Sequence, residues 1–370
     1  MTRVEVKNLV KFYDKFLAVN DVSFTVNAGE FFGLLGPSGC GKTTTLYCIS
    51  GIETPTKGRI FFDDRDVTDV PTQHRNIGMV FQSYAIFYNM TVYDNLAYPL
   101  RIRKMPKIEI QRKVSETAEL LGLGNILQVK GFRLTPAQMQ LVSLGRAIIY
   151  DPSVLLLDEP LSNLDPTFRM NTLRHIRRIQ RILKITSIFV THDQLEALSA
   201  CDRIAVMRGG KIMQLGRPDE VYYSPANTFV AEFVGNPPMN LLEATVERKA
   251  GATIMAVRGL DRPITYPKLD IEHEEEVVLG FKPEDAVVLQ GGVGPSEGLL
   301  IDGRVRAVER SAVEIIYLVE FDKKTVKIVT KEEIPLGARV RLHIPLEKLY
   351  IYSGKSGDLL SSPIRATASP

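Results

Sequence analysis

Eight consecutive residues, Gly36-Pro-Ser-Gly-Cys-Gly-Lys-Thr43, carry the spacing G-x-x-x-x-G-K-[ST], and each fixed position answers a need of phosphate chemistry. Gly36, Gly39 and Gly41 let backbone N–H groups turn inward and approach phosphate oxygens. Lys42 brings a point charge to the β- and γ-phosphates, and Thr43 offers a hydroxyl to Mg²⁺. Ser38, Cys40 and Thr44 complete the cradle. The run after the loop, Thr43-Thr-Thr-Leu-Tyr-Cys-Ile, is helix-like, so the positive end of a helix dipole faces the same anion. A nucleoside triphosphate carrying magnesium is the implied ligand.

A second set of residues could act on that ligand. In Val154-Leu-Leu-Leu-Asp158-Glu159 an aspartate leaves the end of an apolar run. At a strand end beside the loop it would reach Mg²⁺, and Glu159 would stand where it can accept a proton from an attacking water. Asp158-Glu159 alone could equally cap a helix before Pro160; the phosphate loop favours the catalytic reading. His192, one of only five histidines, follows the apolar run Ser187–Val190. That places it at the carboxyl edge of a sheet, where ligands bind in open α/β folds, and favours a γ-phosphate contact. Gln82, after Ile77-Gly-Met-Val-Phe81, is a polar residue at another such end and by itself implies nothing.

These residues need a scaffold, and the hydrophobic pattern supplies one. Phe31–Leu35, Val154–Leu157 and Ser187–Val190 are short runs apolar on every side, as strands covered on both faces by helices require. Ile110, Val114, Thr117, Ala118 and Leu121 recur at helical spacing among charged residues, so residues 88–152 read as a helical insert in an α/β layer domain spanning 1–235. After Gly235-Asn-Pro-Pro238 the period changes to two. Val313, Ile315, Tyr317, Val319 and Phe321 alternate, as do Val340, Leu342 and Ile344. Residues 236–370 therefore read as a small all-β barrel or sandwich, with its last ten residues a loose tail.

Composition narrows the function classes. At roughly 100–200 residues per domain, a 370-residue chain holds two or three. With 45% hydrophobic and 24% charged residues it is an ordinary globular chain. A net charge of +3 argues against nucleic-acid binding driven by a basic field. Cys40, Cys48 and Cys201 have neither metal-ligand spacing nor a disulfide framework, which suits a reducing cytosol. No apolar run approaches the roughly 18 residues of a membrane span, and the start, Met1-Thr-Arg-Val-Glu-Val-Lys, has no signal-peptide core.

The order Tyr13, 36–43, Gln82, Asp158-Glu159, Ser162-Asn-Leu-Asp165, His192 resembles the ATP-binding subunits of ABC transporters. Val80-Phe-Gln-Ser-Tyr-Ala-Ile-Phe is similar to the Q-loop of the sugar-importer branch. Met239-Asn-Leu-Leu242 and Leu279-Gly-Phe-Lys-Pro-Glu284 resemble the oligosaccharide-binding-like (OB-like) regulatory domain of maltose-type importer ATPases. The resemblance implies an α/β P-loop ATPase core followed by an OB-like domain. It implies ATP and Mg²⁺ as ligands, Tyr13 stacked on adenine, Gln82 touching Mg²⁺ or water, Asp165 across a dimer interface, and His192 on the γ-phosphate. It further implies a peripheral protein on the cytoplasmic face of the membrane, with two permease subunits, an extracytoplasmic solute-binding protein and no nucleic acid. The solute would be carbohydrate-type: sugar, polyol, glycerol or glycerol phosphate. Tyr84, Phe87 and Tyr88 resemble the surface that receives a coupling helix, or are plain core packing.

One motif departs. The family's signature is Leu-Ser-Gly-Gly-Gln, laid against the ATP of the opposite subunit; here it is Leu134-Thr135-Pro136-Ala137-Gln138, and Leu141 stands where arginine is usual. Pro136 has no N–H to donate, and Ala137 adds a Cβ where a backbone approaches phosphate. One lost bond to a charged group costs about 1.5–3 kcal/mol. The chain's own half-site is complete while the half it lends is poor, which points to a heterodimer with a second ATPase bearing an intact signature. A homodimeric importer ATPase, or a weakly hydrolysing regulatory subunit, are the alternatives.

Overall fold

The computed structural model describes all of the chain except residues 250–251, 268–270, 272–274, 290–296, 312–313 and 364–370. Val313 and most of the C-terminal tail therefore lie outside the described residues. The chain divides into two compact units, Met1–Asp219 and Glu220–Pro370. Segment 220–235, which the sequence pattern grouped with the first domain, thus clusters with the β-rich unit.

The first unit opens with a hairpin, β1 (Val4–Tyr13) and β2 (Phe16–Val26), closed by the pair Tyr13 and Phe16 across a two-residue turn. Asp14 in that turn adopts φ +50°, a conformation that Asp tolerates better than most residues. Next come β3 (Phe31–Leu35), α1 (Lys42–Ser50), β4 (Lys57–Phe62), β5 (Arg65–Asp66) and β6 (Ile77–Val80). A helical insert follows, with α2 (Val92–Ile102), α3 (Lys107–Leu121) and α4 (Pro136–Ile148). The unit finishes with β7 (Val154–Asp158), α5 (Pro166–Leu183), β8 (Thr186–Thr191), α6 (Gln194–Ala200), β9 (Arg203–Arg208) and β10 (Lys211–Gly216).

Two sheets result, one antiparallel in the order β2-β1-β4-β5 and one in the order β10-β9-β3-β8-β7-β6. In the second, β9, β3, β8, β7 and β6 are mutually parallel, and β10 alone runs antiparallel. Every residue of β3, β7 and β8 is buried, which is why their sequences show no alternation. Residues 88–152 hold α2, α3 and α4. On α3 the buried residues are Ile110, Val114, Thr117, Ala118 and Leu121, one stripe of the helix, and Gly122 ends it at φ +69°.

One internal cation braces this layer. Arg75 is 4% exposed, and its guanidinium donates to the backbone carbonyls of Cys48, Ile49 and Thr68 at 2.8 Å and of Val70 at 2.7 Å. Two of these, Cys48 O and Ile49 O, belong to the last turn of α1, where the helix's own ladder runs out; Cys48 O also accepts from the capping Gly51 N–H at 3.2 Å.

Among the described residues, the second unit contains a six-stranded and a five-stranded antiparallel sheet around a main apolar core, with a smaller cluster of Ala231, Met239, Tyr350 and Tyr352 beside it. The alternation seen in the sequence is real here: in Ile315–Phe321, Tyr317, Val319 and Phe321 are buried. Asn240 joins the two sheets, its amide donating to Lys327 O at 2.8 Å and accepting from Lys327 N at 2.7 Å. Lys282 lies 3.4 Å and 4.1 Å from the ring centres of Tyr222 and Tyr223. Asn240 and Lys282, one residue from each motif noted for this region, thus make contacts within the β unit.

Candidate active site

Four neighbouring strands, β3, β8, β7 and β6, end at one sheet edge, and each hands over one of the expected segments. The phosphate loop leaves β3, His192 follows β8, Asp158 and Glu159 end β7, and Gln82 follows β6. The loop needs its glycines for distinct reasons. A Cβ on Gly36 would lie 2.4 Å from Met207 O, and Gly41 combines φ +102° with a Cβ position 2.5 Å from Ala18 O. Gly39 has φ +77° and open space where its Cβ would be, which leaves backbone facing the cradle.

Lys42 is 4% exposed, and its Nζ donates to Gly36 O at 2.8 Å and Pro37 O at 3.0 Å. The loop's own carbonyls thus pin the ammonium over the cradle. Thr43 Oγ1 donates to Asp158 Oδ1 at 3.0 Å, which pairs two hard oxygen donors suited to Mg²⁺. Among the described residues no group of three or more His, Cys, Asp and Glu could hold a metal unaided. Burial pushes the Asp158 carboxyl above its ordinary range, against the lowering effect of bonds from Thr43 and Tyr47. A cation at this point would relieve that cost.

Glu159 sits at φ +43°, a region that costs a non-glycine residue of order 1–3 kcal/mol. Its N–H bonds to Val190 O at 3.1 Å, which ties it to β8. Its Oε2 is 3.1 Å from His192 Nδ1. A carboxylate can only accept, so Nδ1 carries the proton in this contact. Tyr13 and Phe16 project from the hairpin end, 39% and 64% exposed. They line a cavity of about 250 Å³ together with Ala18, Ser38, Gly39, Gly41, Lys42, Thr43, Thr44 and Glu159. Cys40 lies beneath the loop, buried, its Sγ 3.9 Å from Lys42 Nζ.

Asp158 and His192 do not line this cavity but contact Thr43 and Glu159, which do; three further expected segments stand apart from it. The Gln82 side chain is exposed, and its backbone carbonyl accepts from Asn163 Nδ2 at 2.7 Å. Asp165 is exposed at the N-cap of α5 and makes no side-chain cap there. The signature stretch begins α4: Leu134 is buried, and Thr135 and Gln138 form a capping box. Pro136 takes the first helical position, where a missing N–H costs the helix nothing.

A second, apolar groove of about 540 Å³ lies between the sheet and the helical insert, lined by Ile52, Met79, Phe81, Tyr84, Tyr98, Ile102 and Arg146 among others. Of the three aromatics noted in the sequence only Tyr84 lines it. Phe87 is packed edge-on against Tyr98 with the Arg146 guanidinium over it, and Tyr88 is exposed elsewhere.

Sequence reasoning missed Phe16, Tyr47 and Asn163. Phe16 was signalled by its place three residues past Tyr13, across a two-residue turn. Tyr47 lies four residues after Thr43, hence on the same helix face, and bonds Asp158. Asn163 had no signal beyond turn composition.

With this geometry established, the family described as ABC transporter matches residues 19–162. The trehalose/maltose import ATP-binding protein MalK of Thermococcus litoralis is 42% identical over 370 residues, 96% of this chain and 99% of that protein. The sn-glycerol-3-phosphate import ATP-binding protein UgpC of Rhodopseudomonas palustris is 38% identical over 371 residues, covering 95% and 98%. Among solved structures, the ADP conformation of MJ1267, an ATP-binding cassette of an ABC transporter, aligns with a TM-score of 0.55 at 27% identity, covering 63% of this chain and 98% of that one. A full-length match at this identity, on a chain whose phosphate loop and strand-end acids converge as described, makes it a member of the ABC transporter family, within its import ATP-binding proteins.

Proposed function

We propose that the chain binds and hydrolyses ATP to energise an importer of a carbohydrate-type solute: a sugar, polyol, glycerol or glycerol phosphate. One observation carries the chemistry: Lys42, the Thr43–Asp158 pair and the Glu159–His192 pair share one sheet edge. Bound Mg²⁺ would supply charge neutralisation on the phosphates. Lys42 and the loop amides hold the triphosphate. Glu159 polarises the attacking water, and His192, bonded to its carboxylate, orients it and faces the γ-phosphate. Tyr13 stacks on adenine, with Lys11 Nζ 4.9 Å from its ring centre. Gln82 senses metal or water.

The partners in this reading are two membrane-spanning permease subunits, which dock in the apolar groove, and an extracytoplasmic solute-binding protein. No helix among the described residues is long and apolar enough to cross a membrane; the chain attaches to the cytoplasmic face through its permeases. The start of α4 lacks the glycines that approach a facing nucleotide, which supports pairing with a second ATPase. Reconstitution with the neighbouring permeases and binding protein tests the reading. ATP turnover should rise on adding the solute, be abolished by Lys42→Ala, and not respond to DNA or ribosomes. Stimulation by nucleic acid alone would refute it.

A further inference from the structure

Segments 82–85 and 159–165 are joined by two reciprocal bonds. Asn163 Nδ2 donates to Gln82 O at 2.7 Å, and Tyr84 Oη donates to Asn163 O at 3.3 Å. Each segment has its own anchor. Ser162 donates to Glu159 O through its hydroxyl at 2.9 Å and its N–H at 3.2 Å, and Leu161 and Leu164 are buried on either side. Asn163 is therefore held at fixed distance from Glu159. On the other side, Tyr84 and Ala85 adopt φ +59° and +51°, two successive left-handed residues with no glycine. Tyr84 and Ala85 also line the apolar groove, and Ala85 O accepts from Arg146.

From this geometry we infer that Asn163 is a positioning residue for hydrolysis: its amide latches the Gln82 segment, in a strained form, to the turn that carries Glu159. The inference rests on the ATPase reading above. Strained backbone persists only where surrounding bonds over-determine it. The latch bonds are few and exposed, and the strained pair borders the groove. An occupant of the groove that relaxes Tyr84 and Ala85 would act on the Glu159 turn through one side chain. Asn163 is exposed, so changing it leaves the core untouched.

Asn163→Asp keeps the shape and removes the donor. In the complex with the permeases it should lower kcat about tenfold while KM for MgATP stays within about twofold, the effect of one lost hydrogen bond. Asn163→Gln, which restores an amide, should recover part of the loss, and Tyr84→Phe should produce a smaller drop. In the isolated full chain, amide exchange across 81–86 should quicken in Asn163→Asp, with 42–50 unchanged. Unaltered kcat and exchange in Asn163→Asp would overturn the inference, as would a rise in KM matching the fall in kcat. A wild-type chain that neither binds nor hydrolyses ATP would instead bring down the proposed function, and the inference with it.

Discussion

Glu159 combines a left-handed backbone, an N–H bond to β8 and a carboxylate 3.1 Å from His192. The two backbone constraints survive replacement of the side chain by an isostere. Glu159→Gln should leave ATP affinity within about threefold while lowering turnover about 10²–10⁴-fold, the range for losing a general base. Filter binding and phosphate release measure the two separately, and normal turnover would remove Glu159 from that role. Asp158 gives a pH signature. Its carboxyl is raised by burial, so the folded chain holds that proton more tightly than the unfolded one. Stability is then lost as pH rises from the ordinary carboxylate range through the raised folded value. Without metal, Asp158→Asn should melt at higher temperature than wild type at neutral pH. The difference should vanish below about pH 4, and stabilisation by MgATP should be largely lost in the variant. Thermal melts with and without MgATP check both points.

At the scale of elements, α4 keeps its start without the family's glycines because Thr135 and Gln138 cap it and Pro136 needs no N–H partner. Pro136→Gly with Ala137→Gly should raise turnover at the facing site about ten- to a hundredfold, the worth of a bond to a charged group. It should also cost the helix about 1 kcal/mol or less. Single-turnover assays of the assembled pair decide this; no gain would place the defect in the partner's own residues. Much of the architecture is legible from such local rules. The all-buried strands β3, β7 and β8 announced themselves as unbroken apolar runs, and α3 buries the very stripe its spacing named. The antiparallel sheet of β1, β2, β4 and β5 was not legible. Bulges interrupt the pairing of β1 with both neighbours and break the period of two. Asn163 escaped notice because an asparagine in a tight turn is ordinary, and its partner is a backbone carbonyl 81 positions away.

At the scale of the molecule, the signature asymmetry becomes a statement about assembly. A homodimer would contain two copies of the same poor half, whereas a partner with an intact signature would complete this chain's Lys42, Asp158, Glu159 and His192. If the proposed heterodimer is right, the purified chain alone should hydrolyse ATP weakly, and adding a second ATPase with an intact signature should raise the rate at least about tenfold. Strong turnover by the lone chain, abolished by Glu159→Gln, would establish a self-sufficient homodimer.

Arg75 has a consequence for how the first unit responds to salt. Its charge terminates α1 at the end opposite the cradle and is sealed among four carbonyls. Dissolved ions screen exposed charges and scarcely touch sealed ones. The brace at the far end of α1 should consequently persist at ionic strengths that dissolve the exposed ion pairs of the chain.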